Sequence, residues 1–449
     1  MLQSNPQSLG RSNIQRKLEQ KSQMTIYFSE GSPQSDFSSE QLRDALNVTF
    51  NRIQPRKVLA LPPDQTRYDS RAGELTCIAH QLLGDRLTDV MPALGTHEAM
   101  HPDQLDMMFP GLPHSLIREH RWRTDVVRLG MVDSDFVNAA TEGVYSKAWP
   151  AETNRMLVEG GHDLILSIGQ VVPHEVIGMA NYTKNIFVGV GGSEGIHESH
   201  YLSALYGMER TMGRCDTPLR RILNYSADQF CQNLPIVHVL TVVDSLPDGR
   251  KVVRGLFIGD EHEVFNRAGA LSAKVNCFRL PEPPKTVVVT MAAHKYSKTW
   301  LANKAVYRTR MAIADGGTLI IIAPGVRTFG EDPDVDRLIR KYGYRTTPEV
   351  LSYVEKDQEL QANLSAAAHL IHGSSENRFN IVYCTDNMPE SEIRSVGYDF
   401  MAPKVARERY PIVDGQPDGW YSSNDGQPFY YIRDPGLGLW MHAKHQHAF

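Results

Sequence analysis

No run of the chain is apolar for the length a bilayer needs, because the longest candidates are interrupted by charge or glycine. A basic stripe is also missing, and the net charge of −5 over 449 residues weighs against a general nucleic-acid surface. Cysteine is scarce. Cys77, Cys215, Cys231, Cys277 and Cys384 form no C-x-x-C pair, and an odd number without ligand spacing points to reduced thiols, ordinary packing and a cytoplasmic setting. The opening MLQSNPQSLGRSNIQRKLEQKSQ lacks the apolar centre of a secretion signal, so residues 1–23 are expected to be a mobile extension. Internal repeats and low-complexity tracts are absent. The remainder has the composition of a globular protein too long for one core, which calls for two domains, or three.

Apolar runs of strand length recur. KVLALPP (57–63), TDVMPALGTH (88–97), DLILSIGQVVP (163–173) and NIFVGVGG (185–192) are expected strands. IVHVLTVVDSLPDGRKVVRGLFIG (236–259) reads as a hairpin turning at Pro-Asp-Gly. DEHEVFNRAGALSAKVN (260–276) has helical spacing. RLPEPPK (279–285) reads as a stiff linker. Beyond it TVVVTMAA, KTWLANKAVYRTRMAI, GGTLIIIAPG and DVDRLIRKYG alternate strand and helix, as in an α/β domain. The expected division is therefore an N-terminal α/β domain over 24–280 and a C-terminal one over 285–449.

Four motifs carry chemistry, and each also has an ordinary structural explanation. LPPDQTRYDSR puts Asp64 and Arg67 just past a strand, where catalytic groups gather in α/β sheets; a solvated turn pair is the plain alternative. LGTHEAMHPDQL places His97 after Gly95, with His101 ahead of Pro102 at a helix start. His97 fits a general base or a loop histidine. PHEVIGMANYTKNIFVGVGGSEGIHESH (173–200) sets Lys184 ten residues after His174 and sixteen before His200. Within it GVGG (Gly189, Gly191, Gly192) suits close approach of backbone N–H groups to a phosphate, without the full dinucleotide fingerprint. HESH brings His197 and His200 to one helix face but lacks the H-E-x-x-H zinc-protease pattern. The terminal HAKHQHAF reads as a frayed tail.

Taken in order, Asp-x-x-Arg, Gly-Thr-His, Pro-His, the lysine with its Gly-rich turn and the spaced histidine resemble the nickel-dependent lactate racemase family and its 2-hydroxyacid epimerase relatives. The likeness spans about residues 55–325 and is most specific over 163–200. It implies two α/β domains with the active site in the cleft between them. It also implies a pyridinium-3,5-dithiocarboxylate-type mononucleotide, the nickel-pincer nucleotide, covalently held by Lys184, with Ni(II) completed by His200. By the same resemblance His97 and His174 are the acid/base pair, Arg67 orients substrate or cofactor, and Asp64 lies at the nucleotide. Lys304 holds the substrate carboxylate, with Lys295 and Lys298 as rivals. Trp300-Leu301 and MAAHKYSK depart from the family's Tyr-Gln and Gly-Gly-x-Pro, which bears on substrate more than on chemistry.

The reaction implied is inversion at C2 of a 2-hydroxyacid by proton-coupled hydride transfer. The polar groups of residues 294–298 favour a sugar acid, such as gluconate going to mannonate, over lactate or malate. Enzymes that make the cofactor are the implied partners, beside the small-molecule substrate. Two readings of other classes stand beside it: a zinc-dependent hydrolase using the same histidines, and a non-catalytic sugar-acid binding protein.

Overall fold

The structure, a computed structural model, describes residues 25–448; the extension expected at 1–23 lies outside them. A first six-stranded sheet comprises Ile26–Gly31 (β1), Val58–Leu61 (β2), Leu87–Val90 (β3), Leu164–Gln170 (β4), Ile236–Ser245 (β5) and Lys251–Gly259 (β6). Their spatial order is β1-β6-β5-β4-β2-β3. β3, β2, β4 and β5 run parallel, and β6 and β1 add antiparallel at one edge. β2 and β4 are buried at every position, as parallel strands covered on both faces must be.

The hairpin expected at 236–259 is β5–β6, and Gly249 takes the positive φ its turn needs. The strand expected at 88–97 ends earlier, at Val90. NIFVGVGG is not a strand. Asn185–Gly189 winds a single wide helical turn in which Val190 N–H donates to Asn185 C=O at 2.9 Å. The run is short and apolar on all sides, so its pattern does not distinguish strand from helix. Buried Asn185 decides the matter, because its amide bonds Leu61 C=O and Ser167 Oγ, both at 3.0 Å, across β2 and β4.

Helices Ser193–Tyr206 (α1), Pro218–Phe230 (α2) and His262–Asn276 (α3) follow. α1 belongs to both halves of the molecule. Ile196 and Leu202 enter a core beneath the first sheet, while Ala204, with Met208 and Met212 just beyond, enters the core of the second.

RLPEPPK is only partly a linker, since Cys277–Leu280 (β7) pairs in parallel with a strand at the far end of the chain. The second sheet comprises Thr286–Thr290 (β8), Thr318–Ile322 (β9), Asn380–Cys384 (β10), Asp399–Phe400 (β11), Gly419–Ser422 (β12) and Pro428–Ile432 (β13), in order β11-β10-β9-β8-β13-β12. The strand that pairs with β7 is Leu439–His442 (β14).

KTWLANKAVYRTRMAI breaks at Asn303 into Thr299–Ala302 (α4) and Lys304–Thr309 (α5). The Asn303 side chain is buried, bonded by Tyr383 OH at 2.6 Å and bonding Tyr398 OH at 2.9 Å. Leu364–His372 (α6) packs along α1. The histidine-rich end forms a short helical turn, Ala443–Ala448. Among the described residues no helix is long and apolar enough to cross a membrane.

Candidate active site

Three neighbouring parallel strands deliver functional groups from their C-terminal ends, the place where open α/β sheets bind ligands. Asp64 and Arg67 follow β2, His97 follows β3, and His174 follows β4. α1 contributes His200, while α4 and α5 of the other half bring Trp300, Leu301 and Lys304. All line one chamber of about 180 Å³. Through Thr96, Trp300 and Ser365 it adjoins an outer cleft of about 550 Å³. Together they match the ~300–1,000 Å³ of small-molecule sites.

The chamber holds the carboxylates of Asp64 and Glu175, but its cations are not paired with them directly. Arg67, Lys184 and Lys304 line it, and none forms an ion pair or side-chain hydrogen bond with a described residue. Burial, with the Arg67 guanidinium beside it, pushes Lys184 down to about 8. The same two causes push Lys304 to about 7. Unpaired buried cations are costly, so this arrangement suits an anionic occupant. Gln170, Glu175 and His372 also line the chamber. Gln170 Oε1, Glu175 Oε2 and His372 Nε2 are buried with no hydrogen-bond partner among the described residues, and Glu175 Oε2 lies 3.8 Å from His174 Nδ1. Such atoms are few in native proteins, and each calls for an explanation such as a water, an ion or a catalytic role.

The two proposed acid/base histidines differ. His97 Nδ1 lies 2.6 Å from Asp64 Oδ2, which leaves Nε2 free to accept a proton. Burial would depress the His97 pKa, but the Asp64 carboxylate outweighs it and holds the pKa above the ordinary value. Asp64 Oδ1 accepts from Thr66 N–H and Oγ1. The residue expected at a nucleotide is thus a partner of His97. His174 Nδ1 accepts from Val176 N–H at 3.1 Å, so its proton sits on Nε2. Burial keeps this ring neutral, with its pKa well below the usual value.

Lys184 is presented by a strained turn. Asn181 and Tyr182 both adopt positive φ, 67° and 61°, which is rare for consecutive residues other than glycine. Arg220 on α2, only 2% exposed, clamps that turn. It donates to the Met179 and Asn181 carbonyls and to Thr183 Oγ1 at 2.7–3.1 Å. No sequence motif marks it. Arg220→Met is expected to leave these acceptors unpaired, at about 1–3 kcal/mol for each group stranded. Urea denaturation reads that loss, and reaction of Lys184 with a small amine-directed reagent, followed by peptide mass spectrometry, reads the displaced side chain. Wild-type stability and Lys184 reactivity in Arg220→Met would contradict the clamp.

His200 Nδ1–H donates to Ile196 C=O at 2.7 Å, and burial lowers its pKa to about 4. The ring is therefore a neutral donor with Nε2 as its free lone pair, the form a metal takes. A conventional zinc site needs about three protein ligands, and no cluster of three such side chains occurs among the described residues. The nickel-pincer nucleotide that the resemblance implies would ask only one imidazole of the protein, and His200 Nε2 would be free to supply it.

Several expected contacts lie elsewhere. Lys298 does not line the chamber; it donates to Glu331 C=O at 2.6 Å. Gly189 lines it, but Gly191 and Gly192 do not. The Gly191 carbonyl lies 3.0 Å from His120 Nε2, and Gly192 abuts Glu152. Of the polar wall expected at 294–298, Lys295, Tyr296 and Lys298 are committed to protein partners and His294 is exposed. Lys295 pairs with Asp69 at 2.8 Å and with Asp434, which also accepts from Tyr296 OH. Of the three rival lysines, Lys304 is the one in the chamber. His197 Nδ1 lies 2.8 Å from Ser365 Oγ, facing the outer cleft.

Residues 9–213 match the sequence profile of the lactate racemase N-terminal domain. No curated protein matches the chain. Among solved structures, a Thermotoga maritima protein aligns with TM-score 0.78 at 23% identity, over 92% of this chain and 100% of that one. The lactate racemase apoprotein from Thermoanaerobacterium thermosaccharolyticum aligns with TM-score 0.64 at 15% identity, over 90% and 93%. At these identities the two structures speak to fold. Residues 9–213 are thus similar to the lactate racemase N-terminal domain, and the chain has the α/β fold of a lactate racemase.

Proposed function

We propose that the protein inverts C2 of a 2-hydroxyacid, with a sugar acid of the gluconate/mannonate type as substrate, using a nickel-pincer nucleotide. The observation that carries this reading is the chamber itself, where Lys184, Arg67 and Lys304 stand without a direct ion pair to a described residue, beside a His97–Asp64 pair and a neutral His174. Lys184 would hold the nucleotide through Nζ, and His200 Nε2 would take the nickel. When bound, that group supplies a hydride acceptor and donor, so the weakly acidic C2–H need never be removed as a proton.

The remaining work falls to this chain's own residues. Arg67 and Lys304 approach from the two halves of the molecule, and with no ion pair to a described residue they are placed to fix the substrate carboxylate. His97 Nε2 takes the hydroxyl proton, and Asp64 stabilises the imidazolium that results. The His97 imidazolium gives the proton back when the hydroxyl re-forms, while neutral His174 offers Nε2–H as a hydrogen bond to the substrate oxygen. His174 can take up a proton at Nε2 only after its own proton moves to Nδ1 and Val176 N–H is released. Enzymes that synthesise the nucleotide are the implied partners.

The test is a panel of D- and L-lactate, malate and gluconate given to protein co-produced with the cofactor-making enzymes. C2 epimers should form, with gluconate fastest and nickel present in the active fraction. Hydrolysis with stoichiometric zinc and no epimer would overturn the proposal.

A further inference from the structure

α6 carries Ser365, His369 and His372 at i, i+4 and i+7, one face of one helix, and that face lines the chamber. Two of the three are already engaged. Ser365 Oγ meets His197. His369 is held at Nδ1 by Tyr307 OH and at Nε2 by Tyr344 OH, at 2.9 and 3.0 Å, with the Trp300 ring against it. His372 differs. It is 4% exposed, lines the same chamber, and its Nε2 has no partner among the described residues.

Burial keeps the His372 ring uncharged, with its pKa at about 3. A neutral imidazole nitrogen offers one N–H or one lone pair, which matches a hydroxyl. The carboxylate has better hosts in Arg67 and Lys304. A methyl group placed here leaves the nitrogen stranded in a buried site, whereas a hydroxyl satisfies it. Sites built to bond a hydroxyl discriminate strongly against analogues that lack it.

We propose that His372 is a specificity-determining residue that hydrogen-bonds a hydroxyl on the substrate chain beyond C2, making the substrate class a polyhydroxylated 2-hydroxyacid. This rests on the C2-inversion reading, and it moves the origin of specificity from residues 294–298 to α6.

Two measurements test it. In holoenzyme, the ratio of kcat/KM for gluconate to that for lactate should fall about ten- to a hundredfold in His372→Leu, mainly through KM for gluconate. His372→Asn, which restores a polar group of similar reach, should recover part of the loss. Separately, calorimetric titration of gluconate into protein lacking the cofactor should weaken in His372→Leu by a similar factor. An unchanged ratio together with unchanged gluconate affinity overturns the proposal. Wild-type enzyme that racemises lactate but neither binds nor turns over gluconate also overturns it, while leaving C2 inversion standing. Binding of gluconate that depends on His372, without epimerisation of any panel acid, supports the subsite and sinks the reaction.

Discussion

Lys184→Arg protein, co-produced with the cofactor-making enzymes, is expected to carry no covalent mononucleotide, to bind no nickel through the nucleotide, and to lose activity to background. The substitution keeps the positive charge, so electrostatics alone predicts a mild effect. The expected severity comes from bonding. An amine with its pKa near 8 is partly neutral at physiological pH and can attack an acyl carbon, whereas a guanidinium stays protonated and resists acylation. The chamber should tolerate the new side chain, since Lys184 has no partner to lose. Folding is therefore expected to survive, as read by circular dichroism and an unfolding midpoint near wild type. Full activity in Lys184→Arg would end the covalent reading.

His97→Ala and His174→Ala should each cost about 10²–10⁴ in turnover, the usual loss for a positioned proton-transfer group, with the nucleotide still attached. Asp64→Asn separates orientation from charge. His97 acts as a base only when neutral, and Asp64 holds its pKa above the ordinary value. Activity should therefore fall as pH drops through that raised pKa. Without the carboxylate the proton leaves more easily, so in Asp64→Asn the acid limb of kcat/KM moves to lower pH while the plateau drops. An acid limb that stays put, or moves up, would detach His97 from the proton transfer. Near-normal turnover in both directions for either alanine variant would make that histidine structural.

The part of the site that could be read from sequence is the part set by local pattern. A strand end followed by Asp-x-x-Arg, and another followed by Gly-Thr-His, point to the C-terminal edge of the sheet, where open α/β sheets bind ligands, and both lead into the chamber. Asn185–Gly189 was not legible as a helical turn, since a short run apolar on all sides has no periodicity to read. Its conformation depends on Leu61 and Ser167, distant in sequence. Arg220 looks like any arginine on an amphipathic helix, and only the tertiary structure turns it onto the Met179 and Asn181 carbonyls. The polar wall expected at 294–298 failed for a related reason. Lys295 and Tyr296 bear groups suited to a substrate, but Asp69 and Asp434 claim them first. His372 sits in a strongly helical, largely apolar stretch, where one more buried histidine carries no signal until its nitrogen is seen to lack a partner.

The central claim is that C2 inverts by hydride movement held within the site, and the fate of the C2 hydrogen tests it most directly. Gluconate deuterated at C2 is incubated with holoenzyme in ordinary water, and the epimer is recovered before equilibrium. The account predicts that the product keeps its deuterium at C2 and that turnover of the labelled acid is slowed by a primary isotope effect. Loss of the label to solvent at the rate of epimerisation would mean that C2–H leaves as a proton, and would contradict it.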